Sequence, residues 1–189
     1  NTALHFGTPN QEFNAALKEK ILQLQSGLGL GQTDTANTWG EFDIPVWSTS
    51  EDIAGNPLHV VLIVVSLILV FTQRQPALLR FYSLAVIAAF LLFCILLKWQ
   101  LFHSRLQLPL FLLGVPVVAL VAEKVRPRFF IPFLTILLLL SSLPPLFCNE
   151  RHPLVGKKNV FNMPRTEQYF SYRKFMAFPY VVAVKYAVS

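Results

Sequence analysis

Residues 81–109 read FYSLAVIAAFLLFCILLKWQLFHSRLQLP, and this stretch decides the fold class. Seventeen residues pass without a charge, 81–97. A short cationic and aromatic loop follows: Lys98, Trp99, Phe102, His103 and Arg105. A second apolar run, 106–122, then begins with Pro109 near its start. A run of about 17–25 apolar residues is what a helix needs to cross a bilayer.

Two further apolar runs, 58–72 and 129–147, flank this pair. Between Pro57 and Phe147 the charged residues are Arg74, Arg80, Lys98, Arg105, Glu123, Lys124, Arg126 and Arg128, all in narrow gaps. The whole 189-residue chain is only 14% charged and 54% hydrophobic, with a mean hydropathy of +0.51. Soluble domains carry about 25% charged residues. The expected fold is all-α: a polytopic membrane helix bundle with four transmembrane helices and polar extramembrane segments at both ends.

Three regions follow. Residues 1–56 form an extramembrane segment with an amphipathic helix, 57–147 the four-helix transmembrane region, and 148–189 a polar, basic tail. In the first, Thr8-Pro9-Asn10-Gln11 has the form of a helix start, with Thr8 as N-cap and Gln11 closing a capping box. Phe13, Leu17, Ile21, Leu24 and Leu28 then recur on one face. That face is expected to pack on the protein or, alternatively, to lie on a membrane surface. Trp39, Trp47 and Trp99 suit the interfacial belt. In the third apolar run, Pro109, Gly114 and Pro116 predict a kink or a break. The fourth is expected to end at Pro144-Pro145. In the tail, 167–175 reads as a short amphipathic piece, and 178–188 as the start of a helix. The chain starts at Asn1 and stops within that apolar stretch, which suggests an internal or C-terminal-half piece of a longer protein.

The turns 73–80 and 123–128 together hold five Lys or Arg, which by the positive-inside rule makes them cytoplasmic. The tail carries Arg151, Lys157, Lys158 and Arg165 close to the last run and argues the other way. Long segments translocate with less regard to charge, so the basic turns decide. The loop 98–105 is then expected on the side opposite to those turns. The net charge of +6 is assigned to lipid phosphates rather than nucleic acid, because the cations flank the apolar runs.

No phosphate-cradling glycine loop, nucleophile elbow, cysteine cluster or histidine pair at metal spacing is present. The adjacent pair Glu51-Asp52 reads first as solvated surface and second as an acid/base or metal-binding pair. Lys98, His103 and Arg105 are the candidate substrate-binding residues. Arg grips phosphate with a planar fork, Lys supplies a compact charge, and His donates or carries a proton near neutral pH. The plain alternative is an interfacial turn whose cations reach headgroups. No metal ligand is assigned, and whether a divalent metal takes part stays open.

The pattern His103-Ser-Arg105-Leu-Gln-Leu-Pro109, running into a proline-bearing span, resembles a late span of polytopic glycosyltransferases that use polyprenyl-phosphate sugars. This is the family of protein O-mannosyltransferases and bacterial aminoarabinose transferases. The stretch Ala54-Gly55-Asn56-Pro57-Leu58-His59 and the tail Arg165-Thr-Glu167-Gln-Tyr169-Phe170 are similar to bacterial members. The resemblance implies a bundle of about ten helices in the plasma (inner) membrane, with a polyprenyl-phosphate-linked sugar as donor. It also implies an extracytoplasmic site and places both polar ends of this chain on that side. Lys98, His103 and Arg105 would approach the lipid-linked phosphate. The family's catalytic Asp lies in an early extracytoplasmic loop that has no counterpart in this sequence, so no catalytic residue is carried over. Many members have Tyr after the basic residue where this chain has Leu106. Two other readings stand beside it: a transporter or flippase component, and a non-catalytic membrane scaffold.

Overall fold

The computed structural model describes residues 2–29, 41–50, 52–97, 99–100, 103–125, 129–150, 152–157, 159–165, 168, 183 and 186–187. Among these, all regular structure is helical. After a single 3-10 turn, Thr2–Phe6, come α1 (Gln11–Gly27), α2 (Pro57–Thr72) and α3 (Ala77–Leu96). Then follow the one-turn α4 (His103–Leu106), α5 (Leu108–Ala122) and α6 (Phe130–Phe147).

The helix α1 starts later than the sequence pattern predicts. Asn10 is the N-cap, and its side chain accepts a hydrogen bond from Phe13 N–H at 3.1 Å. Asn satisfies a free helix-start donor as well as Thr does. The hydroxyl of Thr8 is used locally instead, accepting from Asn10 N–H at 3.2 Å, while Thr8 N–H donates to the Asn14 side chain at 2.9 Å. The face expected to pack is largely open. Phe13, Leu24 and Leu28 are exposed, and Asn14 is the one α1 residue that is fully buried.

The four apolar runs all become helix, with shifted ends. Pro76 caps α3, so the helix begins four residues before position 81 and takes Arg80 into its first turn. Arg80 reaches back to donate to the Gln73 carbonyl at 3.3 Å. The third run is broken at Gln107, between α4 and α5. Pro109 stands in the first turn of α5, where its missing N–H is tolerated, and it cannot bond the Arg105 carbonyl to continue α4. Pro116, by contrast, is carried inside α5, and α6 continues through Pro144-Pro145 to Phe147.

In the bundle, α5 packs chiefly on α2 and then on α3. Its core is Val70, Leu79, Val117 and Val121, with Leu67, Leu69 and Tyr82 against it. Gly114 lets α5 approach α2: a Cβ there would stand 2.7 Å from Ile63 Cδ1. No residue of α6 is buried. The Tyr82 hydroxyl donates to the Leu113 carbonyl at 2.8 Å, in the turn of α5 that Pro116 disturbs. Tyr82→Phe is therefore expected to cost about 1 kcal/mol, read as a lowered midpoint in thermal unfolding of the purified protein. An unchanged midpoint would mean that the bond contributes nothing to stability.

The helices alternate in direction, so the segments between them gather at two ends. At the far end, Lys124 Nζ donates to the Gln75 side chain, joining the turns at 73–76 and 123–125. At the near end lie the N-terminal turn, residues 41–50 and 52–56, the approach to α5 and the exit from α6. There Thr49 donates to the Cys148 carbonyl and Ser48 to Glu150, each at 2.7 Å. Residues 99–100 and 103–107 thus lie at the opposite end of the bundle from the two turns.

Two of the helices, α3 and α6, are long and apolar enough to cross a membrane. The apolar helices α2 and α5 are shorter, at 16 and 15 residues.

Candidate functional site

The near end is closed by polar side chains drawn from distant parts of the chain. His5, Asp52, His103, Ser104 and Gln107 are all buried there, His5 and His103 completely. A buried polar group must find partners or carry a desolvation cost. Most of these do, and over long sequence separations.

His5 is held on both ring nitrogens. Asn56 N–H donates to Nδ1 at 3.2 Å, which leaves the ring proton of the neutral imidazole on Nε2. Nε2–H then donates to Gln107 Oε1 at 2.9 Å, across 102 residues of sequence. Phe111 packs on the same ring with centroids 5.0 Å apart. Ser104 donates to the Ala54 carbonyl, so α4 is tied to the segment just before α2.

His103 is enclosed by aromatic rings. Trp99 stacks on it at 6.0 Å and 11°, and Phe93 meets it edge-on at 5.3 Å. Its Nδ1 accepts from Gln100 N–H at 3.1 Å, so its proton also belongs on Nε2. Burial pushes both imidazoles from 6.5 down to about 4, an effect the Gln107 bond only partly offsets at His5. Both rings are neutral at pH 7.

Arg105 points outward. Its side chain is 53% exposed, and Nη1 stands 3.4 Å from Asp52 Oδ1, whose side chain is only 3% exposed. A buried carboxylate thus anchors a half-open guanidinium.

Of the three predicted binding residues, Lys98 lies outside the described residues. His103 and Arg105 come from the same short helix but differ sharply: His103 is sealed in and Arg105 is presented. The plain readings also shift. Trp99 is buried between His103 and Phe42, whereas Trp47 is half-exposed. Asp52 is not solvated surface. Glu51, Trp39 and the tail pieces 167–175 and 178–188, apart from Gln168, Ala183, Tyr186 and Ala187, lie outside the described residues. Sequence reasoning missed His5 and Gln107 as partners, and nothing local to either residue signals the other. Among the described residues, no three His, Cys, Asp or Glu side chains are grouped to hold a metal ion.

Glycines set the closeness of this assembly. A Cβ on Gly55 would stand 2.7 Å from the His5 carbonyl oxygen, and one on Gly7 only 2.2 Å from that of Pro45. Both obstacles are backbone and cannot swing aside. Gly55→Ala is expected to destabilise the near end by about 1–3 kcal/mol. Hydrogen exchange would show it as faster loss of protection at Asn56, with α2 and α5 less affected. Equal protection in the variant would exclude the close approach.

The chain is thus a helical protein with two helices of membrane-crossing length and apolarity, and a polar cluster at one end of the bundle. No protein-family model, no curated protein and no solved structure matches it.

Proposed function

We propose that this chain is the four-span membrane region of a glycosyltransferase that takes a sugar from a polyprenyl-phosphate donor, with Arg105 meeting the donor phosphate. The observation that carries the assignment to Arg105 is its pairing: a buried carboxylate fixes the guanidinium while about half of it stays open. A fixed, open fork suits a phosphate, which it can grip through two bonds. The resemblance of the His103–Pro109 pattern supplies the polyprenyl-phosphate donor class.

Several features support the membrane reading. In α6, none of the apolar 18-residue window is buried, and in α3 only 17% is. A helix in the core of a soluble protein would be covered. At roughly 1.5 Å per residue, α2 and α5 extend about 24 and 22 Å, short of a hydrocarbon core of about 30 Å. A locally thinned bilayer accommodates such lengths. The basic far-end turns then face the cytoplasm of a plasma (inner) membrane, and the near end, with both polar segments, is extracytoplasmic. His103 acts from inside as a positioning group for α4, and Lys98 is the second cation in reach of the lipid phosphate by sequence. The helix break supports this reading over a transporter: it falls at the near end, whereas transporters place theirs near mid-depth.

The test is transfer from a labelled polyprenyl-phosphate sugar by the full-length protein in lipid nanodiscs. Arg105→Lys keeps a charge for Asp52 but removes the fork. It is expected to raise KM for the donor about tenfold, the equivalent of one lost charge-assisted bond. Unchanged KM in that variant would remove Arg105 from the site, and absence of turnover in the wild type would remove the glycosyltransferase reading.

A further inference from the structure

His103 and Gln107 share a feature that the near-end architecture does not use. Their Nε2 atoms are buried and have no hydrogen-bond partner within the protein. The bonds already made fix their chemistry. His103 Nδ1 accepts from Gln100 N–H, so Nε2 carries a hydrogen. Gln107 Oε1 accepts from His5, so the amide nitrogen offers hydrogens too. Both unmet groups are donors. The Gln107 N–H donates to the His103 carbonyl at 3.1 Å, so the two residues sit one turn apart, with side chains 0% and 1% exposed.

From this pair we infer a buried binding site for an uncharged oxygen acceptor, which accepts from His103 Nε2–H and from the Gln107 amide. One hydroxyl oxygen has two lone pairs and can serve both donors. The charge balance argues for a neutral occupant. The two donors are themselves uncharged, and among the described residues Asp52 stands against Arg105, so a buried anion would meet no formal charge on the groups that hold it. A cation is excluded by the donors themselves. Two sources supply this chemistry, an ordered water and the hydroxyl of a bound polyol, and both satisfy the site. An unmet buried donor carries its full desolvation cost, so an occupant removes a penalty. The inference is independent of the glycosyltransferase assignment, which rests on Arg105.

The experiment is NMR of the full protein in nanodiscs, with ¹⁵N-labelled histidine and glutamine side chains. His103 is expected as the Nε2–H tautomer at pH 7, with its proton shifted downfield by a hydrogen bond. A cross-peak from that proton to water identifies water as the occupant. A shift of the His103 and Gln107 side-chain signals on titration with methyl glucoside, with loss of the water cross-peak, identifies a hydroxyl ligand. Gln107→Glu keeps an acceptor for His5 but replaces the amide donor with oxygen. It is expected to move the His103 Nε2–H signal, while the His5 tautomer persists. A Nδ1–H tautomer at His103 would overturn the inference, as would an Nε2 proton without a hydrogen-bond shift in the wild type. Both readings come from the wild type and hold even where the variant fails to fold.

Discussion

Arg105→Leu is expected to destabilise the near end by about 2–3 kcal/mol, and Asp52→Asn by only about 1 kcal/mol. The difference follows from exposure. Removing the carboxylate leaves a guanidinium that is already half in water and can be solvated there. Removing the guanidinium takes a counterion away from a carboxylate whose side chain is only 3% exposed. The desolvation cost of a buried charge without its counterion dominates such comparisons. The double variant Asp52→Leu with Arg105→Leu is expected to recover most of the loss, because neither charge remains. Hydrogen exchange at residues 52–56, compared with α2, measures all three variants. Equal costs for the two single changes would show that Asp52 is solvated and that the pair does not organise the end.

The second large effect is on pH. His5 and His103 titrate near 6.5 in an unfolded chain and at about 4 in the folded one. Their folded pKa is the lower, so the folded state resists protonation. The near end has its full stability above about pH 6.5 and loses it as the pH falls towards about 4. Below that, both states are protonated and the loss levels off. Over the whole window the loss is at most about 3 kcal/mol for each imidazole, at about 1.4 kcal/mol per pKa unit. Protection at residues 53–56 and 103–107 is expected to fall over this window, while the apolar contacts of α2 with α5 persist. His103→Phe is expected to flatten its share of the curve, since it has no proton to gain. A flat profile between pH 7 and 5 in the wild type would mean that the rings are in contact with water.

The sequence made the helices legible because their cause is local. Four long charge-poor runs bounded by charged turns mark helices by length and pattern alone, and Pro109 stands at the start of α5. The ends were less legible. Asn10 and Thr8 are near-equal caps by type, and the choice depends on Asn14 being buried beside Thr8. Pro144-Pro145 read as a stop, yet α6 has two further residues beyond that pair before Cys148 closes it, donating to the Pro144 carbonyl at 2.9 Å. The polar cluster was legible only in part. Arg105 stood out as a cation between apolar runs, but the burial of His103 depends on Trp99 and Phe93 closing over it. Asp52 looked like any loop carboxylate, because its partner is 53 positions away in sequence. No periodicity reports a contact of that kind.

The distances along the chain between near-end partners have a consequence for biosynthesis. His5 waits 102 residues for Gln107, and Ser48 and Thr49 wait 102 and 99 for their partners after α6. A ribosome delivers these groups seconds apart, at about 5–20 residues per second. Until α4 and Gln107 have emerged, the first segment has neither the partner of His5 nor the closing contact of Ser104. The near end is therefore the last part of the described fold that can be completed, and it reports whether every helix before it has been placed.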